Sequence, residues 1–165
     1  MLSAPESFSL QHETASFVSG VNSLDEWLKK RAMQNQLSGA SRTVVICQEN
    51  RVVGYYALAS SAISVTAAPG HFKRNMPDPI PVVVLGRLAI AQSHQGQGLG
   101  RALFQDAGRR VVNAADAIGI RGLLVHALSI EAKNFYLNLG LHESPLEAMT
   151  LMVTVIDLRV ALQMT

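Results

Sequence analysis

The stretch that decides the fold is Gln95-Gly96-Gln97-Gly98-Leu99-Gly100, which separates an apolar run ending at Ile90 from an amphipathic segment beginning at Arg101. This order predicts a strand, a tight turn and a helix. Glycines let the backbone come close to a ligand, and the N–H groups in the first turn of a helix have no acceptor within the helix. The arrangement is typical of a phosphate-binding turn.

Several kinds of turn could explain these glycines. A nucleoside triphosphate loop has lysine and a hydroxyl residue after its last glycine, whereas Arg101 and Ala102 follow Gly100. A dinucleotide-binding fingerprint opens its domain, whereas this turn lies past the midpoint of the chain. A turn that serves only strand-to-helix packing stays open as the alternative, although three glycines in five positions are more than such a turn requires.

The composition is that of an ordinary globular protein. The chain has 165 residues, of which 48% are hydrophobic and 16% charged, with a formal net charge of +2. These values exclude a disordered tail and a histone-like polyelectrolyte, but they do not exclude a local basic patch. The single cysteine, Cys47, lies in an apolar run and is expected to be a buried small hydrophobe. We find no signal peptide and no apolar run of about 18 residues, and therefore expect a cytoplasmic protein.

Hydrophobic periodicity and turn residues predict one mixed α/β domain over residues 1–165. Before the glycine turn we expect a strand, a helix that begins at a capping box of Ser23 and Glu26 and ends near Gly39, and a β-hairpin. After it we expect a helix, a strand, a short helix capped by Ser129, and a final strand or pair of strands. The predicted elements cover residues 8–11, 23–38, 43–47, 52–58, 82–90, 101–118, 123–128, 130–139 and 149–158, with an irregular connection over residues 69–81.

The glycine turn resembles the Q/R-x-x-G-x-G/A signature of the GNAT family of N-acetyltransferases, which bind the pyrophosphate of acetyl-CoA there. The order of the predicted elements resembles the family over essentially the whole chain. The resemblance implies a GNAT fold, with a mixed, mostly antiparallel central sheet that is splayed at the cofactor site and flanked by helices. It also implies that acetyl-CoA is the cofactor and that these residues bind it: Leu88, Ala89, Ile90, Gln95, Gly96, Gln97, Gly98, Leu99, Gly100 and Arg101.

Shorter segments resemble a narrower group, the acetyltransferase toxins of bacterial type II toxin–antitoxin systems. Those toxins acetylate the α-amine of aminoacyl-tRNA and thereby block translation. The resemblance implies the same activity here, a ribbon-helix-helix antitoxin as partner, and a homodimer. Two positions depart from the pattern: Ala91, where relatives often have an acid, and Leu141, where phenylalanine is common. The matching segments include residues 17–20, 24–28, 41–43, 54–56, 87–90, 124–127 and 135–136.

Tyr136 is the candidate for the residue that handles the departing thiolate, because the family places its tyrosine acid on the corresponding short helix. Periodicity alone favours another interpretation, in which Ala132, Phe135, Tyr136 and Leu139 form a core face. Proton transfer from a phenol of pKa about 10 to a thiolate near 8.5 costs about 2 kcal/mol. We therefore expect Tyr136 to act by hydrogen bonding as much as by proton transfer. The family's bulged strand implies that backbone N–H groups around residues 88–90 polarise the thioester carbonyl.

The predicted strand over residues 82–90 contains no Asp, Glu or His, where many relatives that act on lysine-type amines have a glutamate. At pH 7 an α-amine is about 10% neutral, whereas a lysine amine is almost wholly protonated. The missing base therefore favours an α-amine as the acceptor. His126 is interpreted as a core histidine of a buried strand, and His94 as a neighbour of the cofactor or of solvent. No spacing typical of a metal site is present, so no metal is expected.

Basic residues are the candidate contacts to the phosphates of tRNA. Arg87 stands in an otherwise apolar strand and therefore has to be paired or exposed at a cleft. Two other functions stay open: acetylation of a small-molecule amine or a protein N-terminus, and binding of acyl-CoA by a non-catalytic regulatory module. The candidate tRNA contacts are Lys29, Lys30, Arg42, Lys73, Arg74 and Arg87.

Overall fold

Seven strands and six α-helices are present in the computed structural model, which describes residues 1–164. No helix in this part of the chain is long and apolar enough to cross a membrane. Short 3-10 turns lie at Val65–Ala67 and Gln92–His94. In chain order the elements are β1 (Glu6–Ser7), α1 (Asn22–Lys30), α2 (Ala32–Ser38), β2 (Arg42–Gln48), β3 (Arg51–Ile63), α3 (Gly70–Lys73), β4 (Ile80–Ile90), α4 (Leu99–Ala115), β5 (Gly122–His126), α5 (Ile130–Asn138), β6 (His142–Glu143), β7 (Thr150–Thr154) and α6 (Val155–Ala161).

The strands form a seven-stranded sheet in the order β1-β2-β3-β4-β5-β7-β6. The pairs β1–β2, β2–β3, β5–β7 and β6–β7 are antiparallel, whereas β4 and β5 are parallel. The parallel pairing joins residues 82–85 of β4 to residues 122–125 of β5, and β4 itself continues to Ile90. The predicted mixed, mostly antiparallel sheet is therefore confirmed.

Internal contacts divide the chain into two compact units, each made of two segments. Unit 1 comprises Met1–Ala59 and Gly86–Ala107, and unit 2 comprises Ser60–Leu85 and the residues from Gly108 onward. Strands β3 and β4 and helix α4 therefore each contribute residues to both units. The single GNAT domain over residues 1–165 stays a prediction.

The core of unit 1 is built around Tyr55, a fully buried residue of β3. Phe17 meets the Tyr55 ring edge-on, and Trp27 of α1 stacks on it with 6.0 Å between the ring centroids. The Tyr55 hydroxyl donates a hydrogen bond to the carbonyl oxygen of Leu24, 2.6 Å away. Apolar packing and one buried hydrogen bond thus hold α1 against the sheet.

The core of unit 2 includes Phe72 of α3, which packs into a cluster of buried side chains. The irregular connection predicted over residues 69–81 is therefore partly helical, and its last two residues belong to β4. The Arg121 guanidinium donates hydrogen bonds to the carbonyl oxygens of His71 and Phe72, which holds the end of α3 in place. The cluster consists of Ala68, Phe72, Ile80, Val82, Leu124 and Met152.

The first predicted helix is wrong in two respects. It is broken at Arg31 into α1 and α2. The capping box is also absent, because α1 begins after Val21 with no side-chain cap and Glu26 pairs with Lys30 instead. The end of α2 is as predicted, since Gly39 adopts a left-handed conformation with φ +83°.

The ends of the chain also differ from prediction. The first strand, β1, lies at residues 6–7, because a turn closed by the His12 N–H on the Ser9 carbonyl replaces a strand over residues 8–11. The apolar tail predicted as strand is β7 followed by α6, which Thr154 caps by accepting the N–H of Asp157. Helix α4 ends at Ala115, three residues before the predicted end at residue 118.

Two glycines of unit 2 lie where a side chain has little or no room. A Cβ on Gly108, within α4, would lie 3.0 Å from Cδ1 of Leu162. A Cβ on Gly122, within β5, would lie 2.1 Å from the carbonyl oxygen of Val153 and 2.6 Å from the Phe72 ring. The backbone of a paired strand cannot move aside as the Leu162 side chain can. Gly122 is therefore the position that is less able to accept a side chain.

We expect Gly122→Ala to lower the free energy of unfolding by about 3 kcal/mol, because the added methyl group overlaps the backbone of β7. Gly119→Ala is the matched control, since a Cβ there meets no described atom within 4 Å. It should leave the stability unchanged or raise it slightly. Chemical denaturation of both variants measures the difference, and equal midpoints would contradict the packing argument.

Candidate active site

The glycine turn lies in unit 1, directly before α4. Gly96 (φ +78°) and Gly98 (φ +81°) both have left-handed backbone conformations, which other residues rarely adopt. A Cβ at either position would meet no described atom within 4 Å, so there is open space beside the turn. The first α-helical hydrogen bond runs from Ala102 N–H to the Gly98 carbonyl, so the preceding amides have no acceptor within the helix. This geometry suits an anion.

The side chain of Gln95 holds the turn in place. Its Nε2 donates hydrogen bonds to the carbonyl oxygens of Ser19, at 2.7 Å, and Ile90, at 2.8 Å. The backbone N–H of Gln92 donates to the carbonyl of Val18 at 2.7 Å. The loop before α1 is therefore bonded to the turn, and the Gln95 side chain shapes the turn through its amide group.

The buried carboxylate of Asp25 holds Ser19, the loop residue to which Gln95 is bonded. The carboxylate accepts the Ser19 backbone N–H at 3.0 and 3.2 Å and the Ser19 hydroxyl at 2.6 Å. Both residues are buried. The Ser19 carbonyl accepts a hydrogen bond from the Gln95 side-chain amide. By holding Ser19, the Asp25 carboxylate therefore also holds a residue that is bonded to the turn. Sequence reasoning missed Asp25, since an acidic residue in the first turn of a helix is common and reveals no distant partner.

Arg87 is paired with an aromatic ring. Its guanidinium carbon lies 4.6 Å from the centroid of the Trp27 ring, which itself stacks on Tyr55. A guanidinium over an indole face is stabilised by a cation–π interaction. Burial raises the pKa of Tyr55 above its ordinary value, and the nearby positive charge of Arg87 only partly opposes this. Arg87 is half-buried and therefore keeps access to solvent.

Tyr136 lies in unit 2, on α5, whose first turn is capped by Ser129 as predicted. Only 7% of Tyr136 is exposed, and burial raises the pKa of its phenol well above the ordinary value. The phenol is therefore protonated at neutral pH and is a hydrogen-bond donor. The predicted core face of α5 has three other members, and all of them are only half-buried: Ala132, Phe135 and Leu139. Their exposure argues against a purely structural core stripe on this helix.

A family model described as an acetyltransferase (GNAT) domain matches residues 13–159. The chain belongs to the GNAT family of acetyltransferases. The predicted family is therefore confirmed, and with it the interpretation of the chain as an acetyltransferase.

Relatives of this GNAT domain include toxins. The tRNA-acetylating toxin of Mycobacterium tuberculosis is 48% identical over 157 residues, which cover 95% of each chain. The solved structure of AtaT complexed with acetyl-methionyl-tRNAfMet matches with a TM-score of 0.90 at 30% identity, covering 97% of this chain and 98% of that chain. A mutant AtaT toxin bound to acetyl-CoA and to the C-terminus of the antitoxin AtaR matches with a TM-score of 0.83 at 28% identity, covering 97% of both chains.

The candidate tRNA contacts of this GNAT domain are distributed over both units. Lys29 and Lys30 are exposed at the C-terminal end of α1 in unit 1. Arg42 is exposed at the start of β2, and its guanidinium donates to a backbone carbonyl of α2. Lys73 and Arg74 are exposed in unit 2, at the end of α3. Within unit 1, Lys29 and Lys30 are adjacent, so two positively charged side chains lie together in the last turn of α1.

The two histidines differ from each other in their surroundings. His126 is not the buried core histidine that the apolar pattern predicts, because β5 ends there and the residue is exposed. Its Nδ1 lies 2.9 Å from the hydroxyl oxygen of Thr150. His94, beside the glycine turn, has its Nε2 2.8 Å from Oε1 of Gln48 and its Nδ1 2.7 Å from the hydroxyl of Ser93.

Glu6, His12 and Cys47 come together in unit 1, which their spacing in the sequence does not indicate. One potential ligand atom from each lies within 4.8 Å of the others. The Ser9 N–H donates to His12 Nδ1, so the imidazole proton is on Nε2, which donates to Glu6 at 2.8 Å. In this tautomer Nε2 has no lone pair for a metal ion. Burial also raises the pKa of Cys47 to about 11, so its thiol is uncharged at neutral pH.

We expect Asp25→Asn to lower the free energy of unfolding by about 2 kcal/mol, because the amide nitrogen would face the N–H and O–H donors of Ser19. Glu26→Gln is the matched control, since it changes the adjacent carboxylate, which is only half-buried and pairs with the exposed Lys30. Exposed ion pairs contribute little, so this variant should keep the wild-type midpoint. A denaturation curve for each variant provides the measurement, and an equal effect of the two substitutions would contradict the assignment.

Proposed function

We propose that this protein is a toxin that transfers the acetyl group of acetyl-CoA to the α-amine of aminoacyl-tRNA and thereby blocks translation. The observation that carries the proposal is its 48% identity, over nearly the whole of both chains, to a tRNA-acetylating toxin. The anion-binding turn of unit 1 and the buried phenol of unit 2 support it, since the reaction needs a cofactor site and a donor for the leaving group.

The proposed cofactor site is the glycine turn with the end of β4. The amides of residues 98–101 would donate to the pyrophosphate of acetyl-CoA, and the open space beside Gly96 and Gly98 would admit it. Backbone groups of residues 88–90 would contact the acetyl and pantetheine portion. Arg101, exposed in the first turn of α4, adds positive charge near the same helix end.

Tyr136 has the proposed role of stabilising the leaving group. In the reaction the neutral amine nitrogen forms a bond to the carbonyl carbon and loses a proton, the carbon–sulfur bond breaks, and its electron pair leaves on sulfur. Because burial raises the pKa of Tyr136, full proton transfer to the thiolate is even less favourable than for an ordinary phenol. A hydrogen bond from the phenol to the sulfur is therefore the main contribution, and the thiolate takes its proton from solvent.

The α-amine is the favoured acceptor because β4 carries no carboxylate and no histidine. An α-amine needs less deprotonation at neutral pH than a lysine amine does. The resemblance to the toxins further supports a ribbon-helix-helix antitoxin, a homodimer and a cytoplasmic location. Light scattering on the purified chain tests the homodimer, and light scattering with the co-expressed antitoxin tests whether the two proteins form a complex.

Tyr136→Phe is expected to lower kcat for acetylation of charged tRNA by about a hundredfold or more, because the leaving thiolate loses its hydrogen-bond donor. Acetyl-CoA affinity should stay within about twofold, since the binding turn is unchanged. Tyr55→Phe is the matched control: it removes another buried tyrosine hydroxyl, which donates to the Leu24 carbonyl. That variant should lose about 1 kcal/mol of stability but keep its turnover. Normal turnover in Tyr136→Phe would contradict the assigned role.

The substrate class is tested by incubating the protein with labelled acetyl-CoA and, in parallel, charged tRNA, uncharged tRNA, free amino acids and a peptide. We expect label on the aminoacyl group of charged tRNA only. Label on free amines or on the peptide N-terminus instead would support the small-amine alternative. Tight binding of acetyl-CoA without any turnover would support the non-catalytic module.

If Lys29 and Lys30 contact phosphates, Lys29→Gln with Lys30→Gln should reduce the slope of log K against log salt for tRNA by about 1 to 2. The control exchanges two other exposed basic residues, Arg51 and Arg109, for glutamine. This control changes the net charge by the same amount as the lysine double variant, but its two positions are outside the proposed contact. Filter binding over a range of salt concentrations measures both slopes, and the same slope for the two double variants would contradict the assignment.

A further inference from the structure

A cavity of about 160 Å³ lies wholly within unit 2. Apolar side chains form part of its lining, and the polar side chains of His126, Glu147 and Thr150 form another part. The apolar members, which come from β3, β4 and β5, include Ile63, Val82, Val84 and Leu124. The cavity therefore offers both an apolar surface and a set of polar groups to one ligand.

The three polar side chains form a hydrogen-bonded relay. The Thr150 hydroxyl donates to Oε2 of Glu147 at 3.1 Å, and the same hydroxyl oxygen lies 2.9 Å from Nδ1 of His126. A hydroxyl has one hydrogen, and here the carboxylate receives it, so the oxygen accepts the proton of Nδ1. The relay thus fixes the tautomer in which Nε2 of His126 carries the lone pair. In the neutral imidazole, Nε2 is therefore the atom that can accept a proton.

The lining fits an amine that carries a compact aliphatic group. Glu147 brings a negative charge that attracts an ammonium group, and Nε2 of His126 carries the lone pair that a proton acceptor needs. The apolar members of the lining suit an aliphatic side chain. The aminoacyl end of a charged tRNA has both features, an α-ammonium group beside a side chain.

We propose that this cavity receives the aminoacyl end of the acceptor, and that His126 is the general base for acetyl transfer. The inference rests on the proposed function. An N–H bond of the α-ammonium breaks and the proton moves to Nε2, which gives an imidazolium. The imidazolium passes that proton to solvent, and the amine electron pair attacks the carbonyl carbon of acetyl-CoA. The carbon–sulfur bond then breaks with its electron pair on sulfur, and the newly acylated nitrogen loses its second proton to Nε2. The imidazolium finally releases its proton to solvent.

In this scheme His126 is a catalytic residue, whereas Thr150 and Glu147 are positioning residues that act through it. Thr150 is 4% exposed and lies on β7 opposite His126, so its hydroxyl is held by the sheet itself. Glu147 precedes β7 and orients the Thr150 hydroxyl by accepting its hydrogen. The base that β4 lacks is thereby supplied at the end of β5.

The test uses the full chain with labelled acetyl-CoA and charged tRNA. His126→Ala should lower kcat/KM by about 10²- to 10³-fold, leave acetyl-CoA affinity unchanged, and recover part of the rate when imidazole is added. The matched control is His142→Ala, which removes an exposed histidine of β6 and should keep the wild-type rate. Thr150→Val, of similar shape but without the hydroxyl, should lose activity, whereas Thr150→Ser should retain it.

The outcomes separate this inference from the proposed function. Labelling of charged tRNA by the wild type, with the same rate in His126→Ala or with no rescue by imidazole, would overturn the inference and leave the proposed function intact. No labelling by the wild type would overturn both. If His126→Ala does not fold, the Thr150 pair decides: a loss in Thr150→Val alone supports the relay, and equal rates in both variants overturn it.

Discussion

The shape of the glycine turn depends on one series of hydrogen bonds, from the Asp25 carboxylate through Ser19 to the amide of Gln95. A turn with left-handed glycines at positions 96 and 98 can take the required shape, but glycine gains no side-chain packing to keep it there. The Gln95 amide supplies the missing constraint by bridging Ser19 and Ile90. The buried Asp25 carboxylate accepts three hydrogen bonds from Ser19, which makes this end of the hydrogen-bond series rigid.

Local features of the fold could be predicted from the sequence, whereas features set by distant partners could not. The glycine turn, the left-handed Gly39 and the Ser129 cap all follow from residue types within a few positions of each other. The capping box of Ser23 also fitted a local rule, but Asp25 is drawn toward Ser19 and the helix begins without a side-chain cap. Propensity rules describe the helix end alone and contain no information on that competing partner.

The incorrect prediction that His126 is a buried core histidine shows that local sequence patterns are equally limited for the candidate site. An apolar run from Leu123 to Leu128 predicts one buried strand, yet β5 ends at His126 and leaves that residue and Leu128 exposed. Periodicity cannot place the last residue of a strand, because the pattern is the same whether the final position faces the core or a cavity. The relay through Thr150 and Glu147 was equally out of reach, since 24 residues separate His126 from Thr150.

The two groups of unit 2 that we propose to donate and accept protons differ in their surroundings, as their opposite tasks require. Tyr136 is buried, and burial raises the pKa of its phenol, so the phenol stays protonated and is a hydrogen-bond donor. His126 is exposed, and its tautomer leaves the lone pair on Nε2. Such a base suits an α-amine: a lysine amine, with a pKa higher by about 2.5 units, would need roughly 3.5 kcal/mol more to be deprotonated at neutral pH. The α-amine is therefore the acceptor that these proposed acid–base groups favour.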